Sequence, residues 1–294
     1  MNYYNEIKNQ LISNEINRKV KNYSINRSDL NTYYNVGKLL FGAGKHYGEG
    51  IIKEYSKRLT DELGKGYTIS NLKRFRQFYI LIEKGATMTH QLTWSHYSEL
   101  IPLNDIDKIN YYIIIINDLN LSIRQLRSKI KSKEYDRLDE ETKLKLINKE
   151  ERSAVDFVKN PILIKNSYNY EFMTERILKQ LILEDIESFM NELGNNFSFI
   201  GSEYKIKIGD RYNYIDLLLF NIKFNCYVVV ELKITEFKVE YISQVQKYMN
   251  YIDKNIKEIS NNDTIGIIIC KKENSFVIEY CSDERITIRE YELV

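Results

Sequence analysis

The chain has 294 residues, of which 43% are hydrophobic and 29% charged, with a formal net charge of +2. That length suits two domains of ordinary size, and a near-neutral balance means that any basic surface must be local. Residues 1–30 lack an apolar signal core and no apolar run reaches about 18 residues, so neither a secretory leader nor a membrane span is expected. The three cysteines (Cys226, Cys270 and Cys281) are odd in number and lack metal-ligand spacing. This pattern predicts reduced thiols in a cytoplasmic protein.

The first half reads as helical. Ile7, Leu11, Ile16 and Val20 recur at helical spacing, as do Leu30, Tyr33, Tyr34 and Leu40. Gly42 to Gly50 reads as a loop. Its Gly44-Lys45 lacks both the upstream glycine and the following Ser or Thr of a phosphate-binding loop. Ile52, Tyr55 and Leu59 stripe one helix, and Gly64 and Gly66 punctuate. Ser70 then caps a second helix striped by Leu72, Phe75, Tyr79 and Ile82. Lys73, Arg74 and Arg76 fall off that stripe. The pattern fits a helix-turn-helix with a basic, nucleic-acid-binding outer face, and it fits equally the solvated face of a helical bundle. Trp94, Tyr97 and Leu100 share a helical face, with His96 a packed structural residue. Ile109 to Ile116 predicts a buried helix, and Ser122 caps another over Ile123, Leu126 and Ile130.

Between Tyr135 and Asn166 the periodicity weakens and charge is dense, which puts a domain boundary near residue 155: a helical domain over 1–155 and a second domain over 156–294. The second half then changes character. A helix is predicted from Phe172 to Leu193, ended by Gly194-Asn195. Strands are predicted over Phe197 to Gly201, Glu203 to Ile208, Tyr214 to Phe220 and Cys226 to Lys233. A helix over Val239 to Asp253 and strands over Thr264 to Cys270, Phe276 to Tyr280 and Thr287 to Tyr291 complete an α/β domain with a mixed sheet.

The chemistry concentrates between Tyr214 and Lys233. Asp216 is the one charge in an otherwise apolar strand, and the next strand runs apolar into Glu231-Leu232-Lys233. Alternation puts Glu231 and Lys233 on one strand face. Charges at the end of a buried strand are costly unless paired or bound to a metal. The spacing alone fits a structural ion pair as well as a metal site with a catalytic ammonium.

That strand order, with Asp216 followed by Glu231-x-Lys233 and then Gln244-x-x-x-Tyr248 on the next helix, resembles the PD-(D/E)XK nuclease superfamily. QLTWSHYSEL, SIRQLRSKI, FMNELGNNFSFIG, YIDLLLF, VVVELKITEFKVEYISQ and IGIIICKKEN extend the resemblance over both halves to the YhcG-type bacterial family of that superfamily. The resemblance implies a helical N-terminal domain followed by a restriction-endonuclease-like domain. It implies an Mg²⁺-dependent DNA endonuclease, with Mn²⁺ as a substitute ion, acting on double-stranded DNA, with a homodimer compatible with two-strand cutting. Asp216, Glu231 and the Leu232 carbonyl would hold the metal. Lys233 would orient or deprotonate the attacking water or neutralise the transition state. Gln244 would position the lysine or the DNA, and Tyr248 would pack beneath it or touch phosphate. The superfamily's additional acid from the preceding helix is expected at Glu184, with Glu187 the other candidate. Ile215 stands where the motif has proline. Lys205, Lys207, Lys271 and Lys272 are candidates for the phosphate path. Two other readings are a weak or silent DNA-binding subunit of a defence system and an RNA-directed nuclease.

Overall fold

The chain divides between Tyr135 and Asp136 into two units. The structure is a computed structural model describing residues 2–20, 25–48, 50–148, 150–194, 196–273 and 283–294. The expected strand over Phe276 to Tyr280, Cys281, Asn195 and the side chain of Val20 lie outside what is described.

The first unit is helical: α1 (Tyr3–Val20), α2 (Ile25–Tyr47), α3 (Ile51–Leu63), α4 (Ile69–Glu83), α5 (Trp94–Leu100), α6 (Ile106–Leu119) and α7 (Ile123–Lys131). Ile7, Leu11, Val36, Leu40, Ile52, Leu59, Leu72 and Phe75 form one core across α1–α4. The expected loop at Gly42 is helix instead, because α2 continues to Tyr47. A Cβ at Gly42 would lie 2.8 Å from the Tyr3 ring, so the glycine there serves close packing of α1 on α2 and not a turn. Thr68, and not Ser70, caps α4 by accepting from the Asn71 amide. Phe78 and Leu81, and not Tyr79 and Ile82, complete its buried stripe. Ile109 to Ile116 lies within α6 as a buried helix, and Ser122 caps α7 in a reciprocal capping box with Gln125.

The second unit has three layers. Its sheet runs β1 (Ile162–Ile164), β6 (Ile286–Leu293), β5 (Asn262–Cys270), β4 (Cys226–Leu232), β3 (Arg211–Asn221), β2 (Phe197–Ile208) in spatial order. β1, β6, β5 and β4 are mutually parallel, whereas β3 and β2 run antiparallel. One face is covered by α9 (Glu175–Glu184) and α10 (Ile186–Leu193), through Leu178, Leu181, Phe189, Leu217, Val228 and Val230. The other face is covered by α11 (Val239–Asn255), through Leu218, Val229, Val245, Met249 and Ile268. β4 is therefore apolar on both sides, as a central strand between helix layers must be.

Four expectations change. The single helix over Phe172 to Leu193 is two. Asp185 leaves helical geometry at φ −129°, ψ 55°, ending α9 and capping α10 by accepting from the Ser188 amide. The two strands before Gly209 are one, β2, with a register shift between Phe199 and Gly201. β1 and α8 (Glu140–Asn148) lie in the stretch where periodicity fails. The units also meet earlier than residue 155. Arg137 pairs with Glu192, Asp139 with Arg289, and Ala154 and Val158 enter the core of the second unit. A segment dense in charge can still belong to a folded unit when its charges have partners there.

Gly266 on β5 sets how closely α11 approaches the sheet, since a Cβ there would sit 2.5 Å from Val245 Cγ1 and 2.9 Å from Met249 Sδ. Gly266→Ala should destabilise the protein by about 1–3 kcal/mol through overpacking. Calorimetric melting would detect this, and an unchanged melting temperature would show that α11 can lift without cost.

Candidate active site

β4 stops pairing with β3 at Leu217, so the ends of the two strands diverge and leave Asp216 facing the last residues of β4. The half-buried Asp216 accepts the Leu232 amide proton at Oδ2 (3.0 Å) and Lys179 Nζ at Oδ1 (3.2 Å). Glu231 is 2% exposed. Its Oε1 accepts two hydrogen bonds, from Lys233 Nζ and from Gln244 Nε2, both 2.7 Å. Gln244 Nε2 also donates to Tyr248 Oη (3.2 Å), so one turn of α11 fixes the carboxylate. Glu231 Oε2 is buried and has no hydrogen-bond partner. A buried carboxylate oxygen without a donor is costly unless a cation meets it.

The electrostatics follow from that geometry. Burial, and then the negative charge of Asp216, push Glu231 up from the usual carboxylate range to about 7, against the opposing pull of Lys233. Burial disfavours the charge on Lys233. The Glu231 hydrogen bond and the neighbouring acids outweigh it, so the ammonium holds its proton above the ordinary lysine value. Lys179 behaves alike: burial opposes its charge, and Glu203 and Asp216 more than restore it. Burial likewise raises Tyr248, so its hydroxyl stays protonated.

Asp216, Glu231, Leu232, Lys233, Gln244 and Tyr248 are thus adjacent. Glu184 is not among them. It ends α9, exposed, accepting from Gln180, and it lines a cleft with Lys165, Tyr168 and Asp185. Glu187 lies past the helix break. The acid that α9 brings to the site is Glu175, in its first turn, 3.6 Å from Lys233 Nζ. Glu175 and Lys179 are four residues apart and so share a helix face. Reading one long helix hid this. Thr174, which caps α9 through the Ile177 amide, is the sequence signal that marks the true start.

Lys271 and Lys272 are exposed at the end of β5, their backbones pairing with Thr235 and Phe237 just after Lys233. In the first unit Lys73 and Arg74 project from the exposed face of α4, and Arg76 is half-buried. His96 is structural, bonded through its ring nitrogens to Thr93 and to the Leu121 carbonyl.

Among the described residues no set of three or more His, Cys, Asp or Glu side chains forms a ready-made metal cage. The donor set nevertheless fits a hard cation that keeps several waters, which needs only one or two carboxylates. Glu231, through its bare Oε2, and Asp216 would supply them. The Leu232 amide points to the β3 side, and in an extended strand a residue's carbonyl lies on the same edge as its amide, which adds a third oxygen. A divalent ion bound there, with the Lys233 ammonium at the same strand end, would equip the arrangement for hydrolysis at phosphorus.

A family model described as the YhcG PDDEXK nuclease domain matches residues 156–294, and one described as the DUF1016 N-terminal domain matches residues 7–137. The chain is 24% identical, over a 301-residue alignment, to the protein described as "Putative nuclease YhcG" from Escherichia coli (strain K12), covering 87% of this chain and 80% of the relative. Among solved structures, a repair endonuclease from Pyrococcus abyssi shares 21% identity with a TM-score of 0.31 over 44% of this chain and 49% of that one. The EndoMS-dsDNA2 complex shares 17% with a TM-score of 0.29, over 44% and 48%. The chain spans about half the length of those two solved proteins.

In metal-chelating buffer the melting temperature should fall as pH rises from about 5 to 8. The folded Glu231 keeps its proton up to about 7, whereas the unfolded carboxyl releases it near 4.5, so the folded state binds the extra proton between those values. Stability is lost as that proton leaves, at most ~3 kcal/mol. Glu231→Gln should flatten the slope; an equal slope in the variant would assign it to another group.

Proposed function

We propose that this chain, a member of the YhcG family of PDDEXK nuclease-domain proteins, hydrolyses DNA phosphodiester bonds as a divalent-metal-dependent endonuclease. The observation that carries the reading is the unequal environment of the Glu231 carboxylate. Oε1 is held by Lys233 and Gln244, Oε2 is buried and bare, and the carboxyl as a whole feels the charge of Asp216. Glu231, Asp216 and the Leu232 carbonyl would hold Mg²⁺, with Mn²⁺ suited to the same oxygen donors. Such an ion supplies charge stabilisation at the phosphorus oxygens and a water of lowered pKa.

The chain's own groups do the rest. Lys233, held by Glu231, places positive charge where the phosphate oxygens become more negative, and it orients water. Glu175 faces Lys233 from the solvent side and takes the role expected of Glu184. Gln244 locks the Glu231 rotamer, and Tyr248 locks Gln244. Lys179 fixes Asp216 and adds positive charge for an incoming phosphate. Lys73 and Arg74 of the helical unit, with Lys271 and Lys272 beside the site, would contact the nucleic-acid backbone electrostatically.

Incubation of the full chain with plasmid, linear duplex and RNA, with and without Mg²⁺, tests this. Metal-dependent DNA cleavage is expected. Asp216→Ala should abolish it, and Lys233→Ala should lower the rate roughly 100- to 1,000-fold. Cleavage that survives Asp216→Ala would sink the mechanism, and cleavage of RNA alone would overturn the substrate. Glu175→Gln should slow cleavage at least about tenfold while Glu184→Gln leaves it unchanged. The reverse pattern would return the helix acid to Glu184.

A further inference from the structure

β2 and β3 continue past the end of β4 as a two-stranded ribbon. β3 pairs with β4 only over Leu217–Asn221, whereas its pairing with β2 runs on through Tyr204↔Ile215, Lys205↔Tyr214 and Lys207↔Tyr212 to the turn at Gly209. One face of the ribbon is anchored. Ile206 and Ile215 are buried against α11, and Asn213 accepts from Lys247 Nζ at 3.1 Å. Alternation with Asn213 and Ile215 turns Tyr212 and Tyr214 to the face away from α11, two and four residues before Asp216. Both rings are open to solvent, at 56% and 54% exposure. Lys205 Nζ lies 3.9 Å from the centroid of Tyr212, which orders a cation over one ring.

We infer that this ribbon face is a stacking platform for unpaired nucleotides next to the site at Asp216 and Glu231. The inference rests on the nuclease reading above and names a feature of its substrate. Tyr214 lies about 7 Å along the strand from Asp216 and Tyr212 about 13 Å, from the rise of an extended chain. A strand leaving the site therefore meets two aromatic rings in succession. Lys205 and Lys207, paired across the ribbon with Tyr214 and Tyr212, are exposed and complement a phosphate backbone. Of the ribbon's two acids, Asp210 lies at the turn and Glu203 is engaged by Lys179. Bases inside a duplex present only their edges to a groove, whereas an unpaired base presents a face, which is what an exposed tyrosine ring binds. Two neighbouring tyrosines with a cation over one ring fit sequence-tolerant stacking.

The test uses the full chain in chelating buffer, so that binding is read without cleavage. Its probes are a fluorescent single-stranded DNA 20-mer, the same sequence as a blunt duplex, and that duplex with a single-stranded tail. Tight binding of the single strand and the tailed duplex is expected. Tyr212→Ala with Tyr214→Ala should weaken both roughly 10- to 100-fold while blunt-duplex affinity changes less than about twofold. Tyr212→Phe with Tyr214→Phe should restore binding. An unchanged melting temperature confirms that removing exposed rings leaves the fold intact. Equal loss on duplex and single strand would make the ribbon a groove-binding element and overturn the inference. So would the absence of single-strand binding by the unaltered chain, or a change in oligomeric state with no change in binding. A chain that binds as expected but cuts nothing with Mg²⁺ would refute the nuclease reading and leave the platform standing.

Discussion

The site depends on one carboxylate being held from one side only. Glu231 is carried into the interior by the most buried strand of the sheet, where an unpaired charge is untenable. Two donors from different elements, Lys233 at the strand end and Gln244 on α11, converge on the same oxygen. They cancel part of the burial cost and consume none of the second oxygen's capacity. Neither donor alone would fix the rotamer, because the lysine stem is flexible and the glutamine turns about its own torsions. Together with Tyr248 on the next turn they leave the carboxylate one orientation.

Everything around that carboxylate acts on its position. The sheet delivers Asp216 from the adjacent antiparallel strand at the level where the two strands separate, so a backbone amide of one strand can bond a side chain of the other. α9 approaches from the opposite layer with Glu175 and Lys179 one turn apart on one face, one acid toward Lys233 and one ammonium toward Asp216. Charges of both signs thus alternate across the pocket. Such a set is internally compensated before any ion or phosphate arrives.

Much of this was legible in the sequence because the relevant periods are short and strict. The apolar run Cys226 to Val230 fits a strand covered on both faces, and in a strand Glu231-x-Lys233 places two charges on one face. Gln244 and Tyr248 were four apart on a helix whose other face was apolar. What misled were features set by tertiary contact. Asp185 breaks a helix that periodicity alone would continue, since its side chain serves as a cap and Lys165 pairs with it. That single residue moves the site's acid from the C-terminal end of the helix to its first turn. The glycines from Gly42 onward suggested a loop because glycine's backbone freedom is visible in sequence, and its small size against a neighbouring ring is not. β1 was hidden because three residues are too few to show a period.

The segment between Asp136 and Pro161 bears on where the nuclease half can be cut free of the rest. Its charged residues look like a linker, yet Arg137 is an internal counter-ion for Glu192, and Asp139 one for the buried guanidinium of Arg289. A fragment begun at residue 156, where the matched nuclease-domain model starts, would strip both partners and expose the apolar surface that Ala154 covers. Stranding two charges in a folded interior is among the more damaging truncations a small domain can suffer. The second unit begins at Asp136, and the stretch that reads as a tether is the hem of that fold.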